Sequence, residues 1–205
     1  MTTTIERAVG RSVSRKDGIG KATGRAIYAD DLSFPGMLWG RTIRSEIACG
    51  RVRAIRREFD AAGFTVVDFR DIPGANAIAL IELDQPCLVE QEIRHPAEPI
   101  LLLAHEDRER LMAARVDIEY DARPAVFDPE RSQVVFKHIR IEKGNIETAL
   151  AGADLVIEGT YRTGAQEHVY IEPNGVIAIP EAGGIAVYGS IQCPYYVHKA
   201  LVTLL

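Results

Sequence analysis

The sequence predicts an α+β chain, on three observations. Short strand-like runs outnumber helical patterns, they follow one another without regular helical crossovers, and the helical patterns are brief and scattered. The 205 residues give room for one ordinary domain and a fraction of another. With 47% hydrophobic and 26% charged residues there is enough apolar surface to offset the ordering entropy, which excludes disorder as the main state. The longest uncharged stretch, 182–197, is broken by Gly, Ser, Gln and Pro, so no membrane span is expected. The opening residues carry no apolar run of the kind that marks a secretory signal.

The elements follow in order. Residues 1–16 hold Arg7, Arg11, Arg15 and Lys16 and read as an extended arm. Gly18, Gly20 and Gly24 punctuate what reads as a loop. The stretch from Gly18 to Gly24 superficially resembles a phosphate-binding loop. It fails because Ala22 follows Lys21 where Ser or Thr is needed, and Arg15 stands where the upstream glycine should be. Strand-like sequence runs from Phe34 to Ile43, and Arg51–Arg56 alternates charged and apolar residues, as a strand with one wet face does; its arginines would also protect an edge from mispairing. Further strands are expected at Phe64–Phe69, ended by the turn Asp71–Gly74, and at Asn76–Leu83. Pro99–Leu103 is wholly apolar after its proline and suits a strand buried on both faces.

A helix is expected over Glu106–Arg115, acidic in its first turn and basic at its end, and a strand at Val116–Tyr120. Residues 122–144 read as a linker around a short strand at Val134–Phe136. Asn145 is placed to cap a helix through Leu150 that Gly152 stops. Strands are then expected at Leu155–Arg162, Ile171–Ile179 and Ile185–Ser190. Pro194 opens a helix in which Val197, Ala200, Leu201 and Leu204 share one apolar face. That helix meets Leu205 without a cap, leaving its last carbonyls and its apolar stripe unpartnered, so the chain is expected to be cut or completed by another chain.

Charge and cysteine usage exclude some functions. A net charge of −5 argues against a basic-patch nucleic-acid binder, although residues 1–60 carry 12 Lys/Arg against 7 Asp/Glu. Cys49, Cys87 and Cys193 are odd in number and far apart, and the five histidines lie at no metal-ligand spacing. Neither a disulfide framework nor an iron–sulfur cluster is expected from this chain, which fits a reduced cytoplasm.

No self-contained active site emerges from the residues alone. The densest unusual stretch is Thr163–Pro173, which sets a glycine, an amide, a carboxylate and an imidazole between two strand-like runs. Gly164-Ala165-Gln166-Glu167-His168, followed by Glu172, resembles the Gln-Glu-His…Leu-Glu signature of the molybdenum-binding subunit of the xanthine dehydrogenase and aldehyde oxidase family. Ser190-Ile191-Gln192 is similar to the family's Ser-Thr-Gln. Upstream, Asp17-Gly18…Lys21-Ala22-Thr23-Gly24…Tyr28…Asp30, then Pro35-Gly36-Met37-Leu38-Trp39, Asp71-Ile72-Pro73-Gly74 with Asn76, and Asp84-Gln85-Pro86 follow in family order. Ser45–Val52 and Ile93–Ile100 depart from it.

The resemblance implies an arm at 1–16, an α/β-hammerhead domain at 17–126, a linker at 127–144, and at 145–205 the first strands and helix of a molybdopterin-binding domain. It implies that Gln166 hydrogen-bonds the apical oxygen ligand of molybdenum, with Gly164, Ala165 and Gln192 as weaker candidates for cofactor contact. An amide suits that place because it donates a hydrogen bond without adding a charge or a titrating proton. The side chains themselves ligate no metal, and the catalytic glutamate and pterin loop of the family have no counterpart up to Leu205. The implied reaction is oxidative hydroxylation of a purine, another N-heterocycle or an aldehyde, with water as the oxygen source. Electrons would leave through [2Fe–2S] clusters to FAD, both carried by partner subunits. The implied partners are the remaining molybdopterin-binding segment, an iron–sulfur subunit, an FAD subunit and a small-molecule substrate, in an oligomer. Two alternatives stay open: a non-catalytic hammerhead scaffold for assembly, and a subunit like those of carbon monoxide dehydrogenase or aromatic thioester reductases, to some of which Pro194–His198 is similar.

Overall fold

A computed structural model describes residues 9–79, 81–170 and 172–205. Two three-stranded antiparallel sheets organise the first part of the chain. In one, β7 (Pro99–His105) runs between β1 (Trp39–Arg44) and β3 (Thr65–Val67). In the other, β2 (Gly50–Arg57) runs between β6 (Glu92–Ile93) and β8 (Val116–Ala122). A small pair, β4 (Ile78–Ala79) and β5 (Leu83–Gln85), stands apart. The expected strand at Asn76–Leu83 is thus divided between the two, with Leu80 outside the described residues.

The apolar run at Pro99–Leu103 forms a buried strand, as expected. Its side chains alternate between two cores. Leu101 and Leu103 join Leu111 and Ala114, flanked by Ile43, Phe59, Phe64 and Val66. Ile100 joins Val89 and Ile93, flanked by Ile47, Val52 and Ile118. A strand buried on both faces needs apolar residues at successive positions rather than at every second one, and this run supplies them.

Helix α2 (Arg108–Ala113) closes the first core. Asp107 caps it by accepting from Glu109 N and Arg110 N, and these N–H donors hold its carboxyl below the usual range. At the other end, Arg41 Nη1 reaches from β1 to the carbonyls of Leu111, Met112 and Ala114 at 3.3, 3.1 and 2.9 Å, satisfying groups that the helix leaves free. His105 sits beneath Phe64, and its Nδ1 accepts from Asp107 N at 2.8 Å.

Two local expectations are corrected and one is narrowed. Gly18–Ala22 is a short helix, α1, rather than a loop; an ion pair between Asp17 and Lys21 at 2.8 Å spans its single turn. β2 is the middle strand of its sheet at Gly50 and Arg51 and has an open side only beyond Val52. Its arginines pair across the sheet, Arg53 with Asp121 and Arg56 with Asp117 and Glu119. Val134–Phe136 forms no strand, because no other segment among the described residues offers its backbone a partner.

Beyond Ala122 no described residue is buried. Asn145 caps α3 (Ile146–Ala151) through Thr148 N at 2.8 Å, and Gly152 ends it, as expected. The expected strand at Leu155–Arg162 is absent: 153–170 is exposed chain that forms neither helix nor strand. The expected strand at Ile171–Ile179 appears only as β9 (Val176–Glu181), with Ile171 outside the described residues. β9 forms a hairpin with β10 (Gly184–Gly189), turned at Gly183, where φ of +87° suits glycine.

Helix α4 (Pro194–Leu204) half-buries Val197, Ala200, Leu201 and Leu204, the apolar face read from the sequence. Its last carbonyls are not free. Gly74 N donates to Leu204 O at 2.8 Å and Ala75 N donates to Thr203 O at 2.9 Å. The approach is so close that a Cβ on Gly74 would stand 2.3 Å from Thr203 O. A second contact joins the hairpin to the first part, where the Phe34 and Tyr188 rings lie 5.5 Å apart. No helix among the described residues is long and apolar enough to cross a membrane.

Candidate functional site

The motif residues lie in two places. Gly164, Ala165 and Gln166 sit in the irregular stretch between α3 and β9, all exposed. Gln192 lies between β10 and α4, also exposed, and lines a concavity of about 640 Å³ together with Ile81, Ser190, Cys193, Tyr196 and Val197. No hydrogen bond or ring contact joins 164–166 to 190–192 among the described residues.

Within the first group the polar side chains act locally. Glu167 Oε1 folds back to accept from His168 N at 3.0 Å and Val169 N at 3.5 Å. His168 stacks on Tyr170 with centroids 5.8 Å apart and rings nearly parallel. Val169 has φ of +51°, a left-handed conformation that costs a β-branched residue about 1–3 kcal/mol. Among the described residues, Gln166 alone of the Gln-Glu-His triplet keeps its side chain unengaged, with both amide functions open to a ligand. A Cβ at Gly164 would meet nothing within 4 Å, so the chain here has space on its outer side.

The second group holds a feature that residue type alone did not reveal. The Ser190 hydroxyl oxygen is buried and has no hydrogen-bond partner among the described residues, which costs stability until something supplies one. The sequence offered Ser190 as part of a motif, but its lack of a partner is visible only in three dimensions. The outgoing end of the Gln166 stretch is tied down at Glu172, whose Oε1 accepts from Ala29 N at 3.4 Å. Ala29 lies 143 positions away and carries no local signal of that role.

The side chains on offer are neutral donors: two amides and a hydroxyl. Among the described residues no group of three or more His, Cys, Asp or Glu is placed to hold a metal ion directly. Cys49, Cys87 and Cys193 are free thiols, and burial pushes the Cys87 thiol up, away from thiolate chemistry. Such a set fits a cofactor whose metal is held by an organic ligand and whose oxygen atoms accept hydrogen bonds from the protein.

Comparison with known proteins agrees. Residues 23–124 match the domain described as aldehyde oxidase and xanthine dehydrogenase, a/b hammerhead domain, and residues 126–205 match a molybdopterin cofactor-binding domain. One of the subunits of a probable xanthine dehydrogenase from Bacillus subtilis is 32% identical over 198 residues, covering 88% of this chain and 27% of the relative. The large molybdopterin subunit of nicotinate dehydrogenase from Eubacterium barkeri is 29% identical over 208 residues, covering 93% of this chain and 49% of the relative. This chain therefore spans between about a quarter and a half of the length of these two relatives. Among solved structures, aldehyde oxidoreductase from Desulfovibrio gigas superposes with a TM-score of 0.78 at 20% identity, over 93% of this chain and 24% of that one. Quinoline 2-oxidoreductase from Pseudomonas putida 86 superposes with a TM-score of 0.75 at 22% identity, over 97% of this chain and 29% of that one. An α+β chain with a hammerhead domain followed by a molybdopterin-binding segment, it belongs to the aldehyde oxidase and xanthine dehydrogenase family.

Proposed function

We propose that this chain is the N-terminal portion of the molybdenum-binding subunit of a molybdenum hydroxylase, acting in oxidative hydroxylation of an N-heterocycle, a purine or an aldehyde, with water as the oxygen source. The observation that carries this is the open Gln166 amide inside the Gly164–Glu172 motif, in a segment matched to a molybdopterin-binding domain. Relatives named for xanthine and nicotinate, both N-heterocycles, favour that substrate class. When bound, the molybdenum cofactor supplies the two-electron redox chemistry and the Lewis acidity of the reaction.

The residues of this chain bind and orient. The Gln166 amide N–H donates to an oxygen of the cofactor, holding it without contributing a charge. Gly164 and Ala165 bring the backbone close, and Gln192 with the Ser190 hydroxyl offers a second pair of donors. The remaining molybdopterin-binding segment supplies the catalytic glutamate, so this chain by itself is inactive. An iron–sulfur subunit and an FAD subunit carry the electrons away. A cytoplasmic setting accords with three free thiols.

The test is Gln166→Ala in the assembled enzyme. Loss of an oriented donor beside a metal centre lowers kcat about 10- to 100-fold while molybdenum content stays near one per active site. Full turnover by this variant defeats the assignment. A second reading, a non-catalytic assembly scaffold, draws on one observation: every described residue that is buried lies between Ser45 and Ala114. Absence of molybdenum and pterin from the purified complex, after molybdenum-replete growth, decides for that reading.

A further inference from the structure

The stretch that carries Gln166 runs from Asp154 to Tyr170 without one backbone–backbone hydrogen bond among its described residues. Glu172 is the first described residue after Gln166 whose side chain bonds outside this segment. Its acceptor oxygen takes the N–H of Ala29, the first residue of the 3-10 turn Ala29–Asp31, an N–H that such a turn leaves without an internal partner. The same corner is held from the other side. Gly175 O accepts from Ser190 N at 3.3 Å, and a Cβ on Gly175 would stand 3.8 Å from the Ala29 Cβ. The segment after the motif is therefore wedged between the hammerhead and the start of the β10–α4 connection.

We propose that Glu172 is a positioning residue: by accepting the Ala29 N–H, it fixes the outgoing end of the Gln166 loop on the hammerhead and so sets where the Gln166 amide points. The effect on catalysis rests on the function proposed above; the tether itself does not. The bond calls for an acceptor atom rather than a charge. Asp30 and Asp31 lie in the same turn, and Asp31 Oδ2 already takes the Tyr28 N–H at 3.0 Å, so a third carboxylate meets its own sign there. A glutamine side chain presents a carbonyl oxygen at the same reach and serves equally well.

The experiment uses the assembled enzyme and three single variants, Glu172→Ala, Glu172→Gln and Ala29→Pro. Proline is tolerated at Ala29, because it opens a turn and follows Tyr28, whose backbone is extended (φ −111°, ψ 170°); the change removes only the donor. Hydrogen exchange at the Ala29 and Ser190 amides, the two bonded donors of this corner, is followed together with kcat. Glu172→Ala speeds exchange at Ala29 and Ser190, and Ala29→Pro at Ser190, about fivefold, and each lowers kcat by a similar factor, the scale of one lost hydrogen bond. Glu172→Gln keeps both near the parent values, and the Glu172→Ala, Ala29→Pro double variant is no worse than either single. Unchanged exchange at the Ala29 amide in Glu172→Ala overturns the tether. Glu172→Gln behaving like Glu172→Ala overturns it as well, since then the charge and not the acceptor matters. If Glu172→Ala fails to assemble, Ala29→Pro tests the same bond from the donor side. Loosened exchange in Glu172→Ala beside full turnover in Gln166→Ala leaves the tether standing and removes the reading of Gln166.

Discussion

Replacing Gly74 by alanine strikes the junction between the turn after β3 and the end of α4. The new Cβ would lie 2.3 Å from Thr203 O, 2.8 Å from Leu204 C and 2.9 Å from Leu204 O. All three neighbours are backbone atoms, so no side chain can swing aside, and the two stretches of chain must part. Parting them breaks both Gly74 N–Leu204 O and Ala75 N–Thr203 O. At about 0.5–1.5 kcal/mol for each net hydrogen bond, and towards the lower end because the turn is exposed, the loss is about 1–2 kcal/mol. Helix α4 also loses some of its contact with β4. The assay is native-state hydrogen exchange at Ala75, whose amide should lose most of its protection in Gly74→Ala, together with the urea midpoint of the intact protein. Gly184→Ala is the control, since a Cβ there meets nothing within 4 Å. Equal exchange and equal midpoints in the two variants would refute the claim that this glycine exists for close backbone approach.

Other expectations follow from particular contacts. Leu103 is fully buried at the centre of the first core, and Leu103→Ala should cost about 2–5 kcal/mol in chemical denaturation; a loss below about 1 kcal/mol would mean that the two sheets do not pack through β7. Asp68 is held below the usual carboxylate range, chiefly by hydrogen bonds from the Arg70 guanidinium and also by the Arg70 N–H. A depressed folded pKa stabilises above the unfolded value, about 3.9, and that stabilisation is lost as pH falls through the folded value. Asp68→Asn should therefore lower stability at neutral pH and converge with the parent in acid. A constant difference between neutral and strongly acidic solution would contradict that sign.

How much was legible in the sequence depends on where each residue's partners lie. Pro99–Leu103 could be read because continuous burial leaves its mark on every residue of the strand. Asn145 could be read because its partner, Thr148 N, is three positions away. Leu155–Arg162 misled because strand-compatible residues are necessary for a strand but its hydrogen bonds must come from another segment. The glycines at 18 and 20 suggested a loop, yet a single ion-paired turn tolerates them. The end of α4 looked bare because its partners, Gly74 and Ala75, lie far upstream in the chain. At the site, the motif named Gln166 and Gln192, while the buried Ser190 hydroxyl and the Ala29–Glu172 bond required the fold. A motif carries residue identity; it does not carry what stands across from the residue.

The arrangement of the two sheets bears on how the chain is made. β1 and β3 pair with β7 and not with each other, and β2 pairs with β6 and β8. Every strand laid down before position 92 in these sheets waits for a partner that begins at Glu92, Pro99 or Val116. At about 5–20 residues per second, the first-made strands spend seconds outside the ribosome with unmatched edges. Such long-range pairing is also slow in itself, because loops of tens of residues must close first. The arginines of β2 share one sign of charge until the acidic residues of β8 emerge to pair with them, and Ala122 leaving the exit tunnel is the event that completes the second sheet.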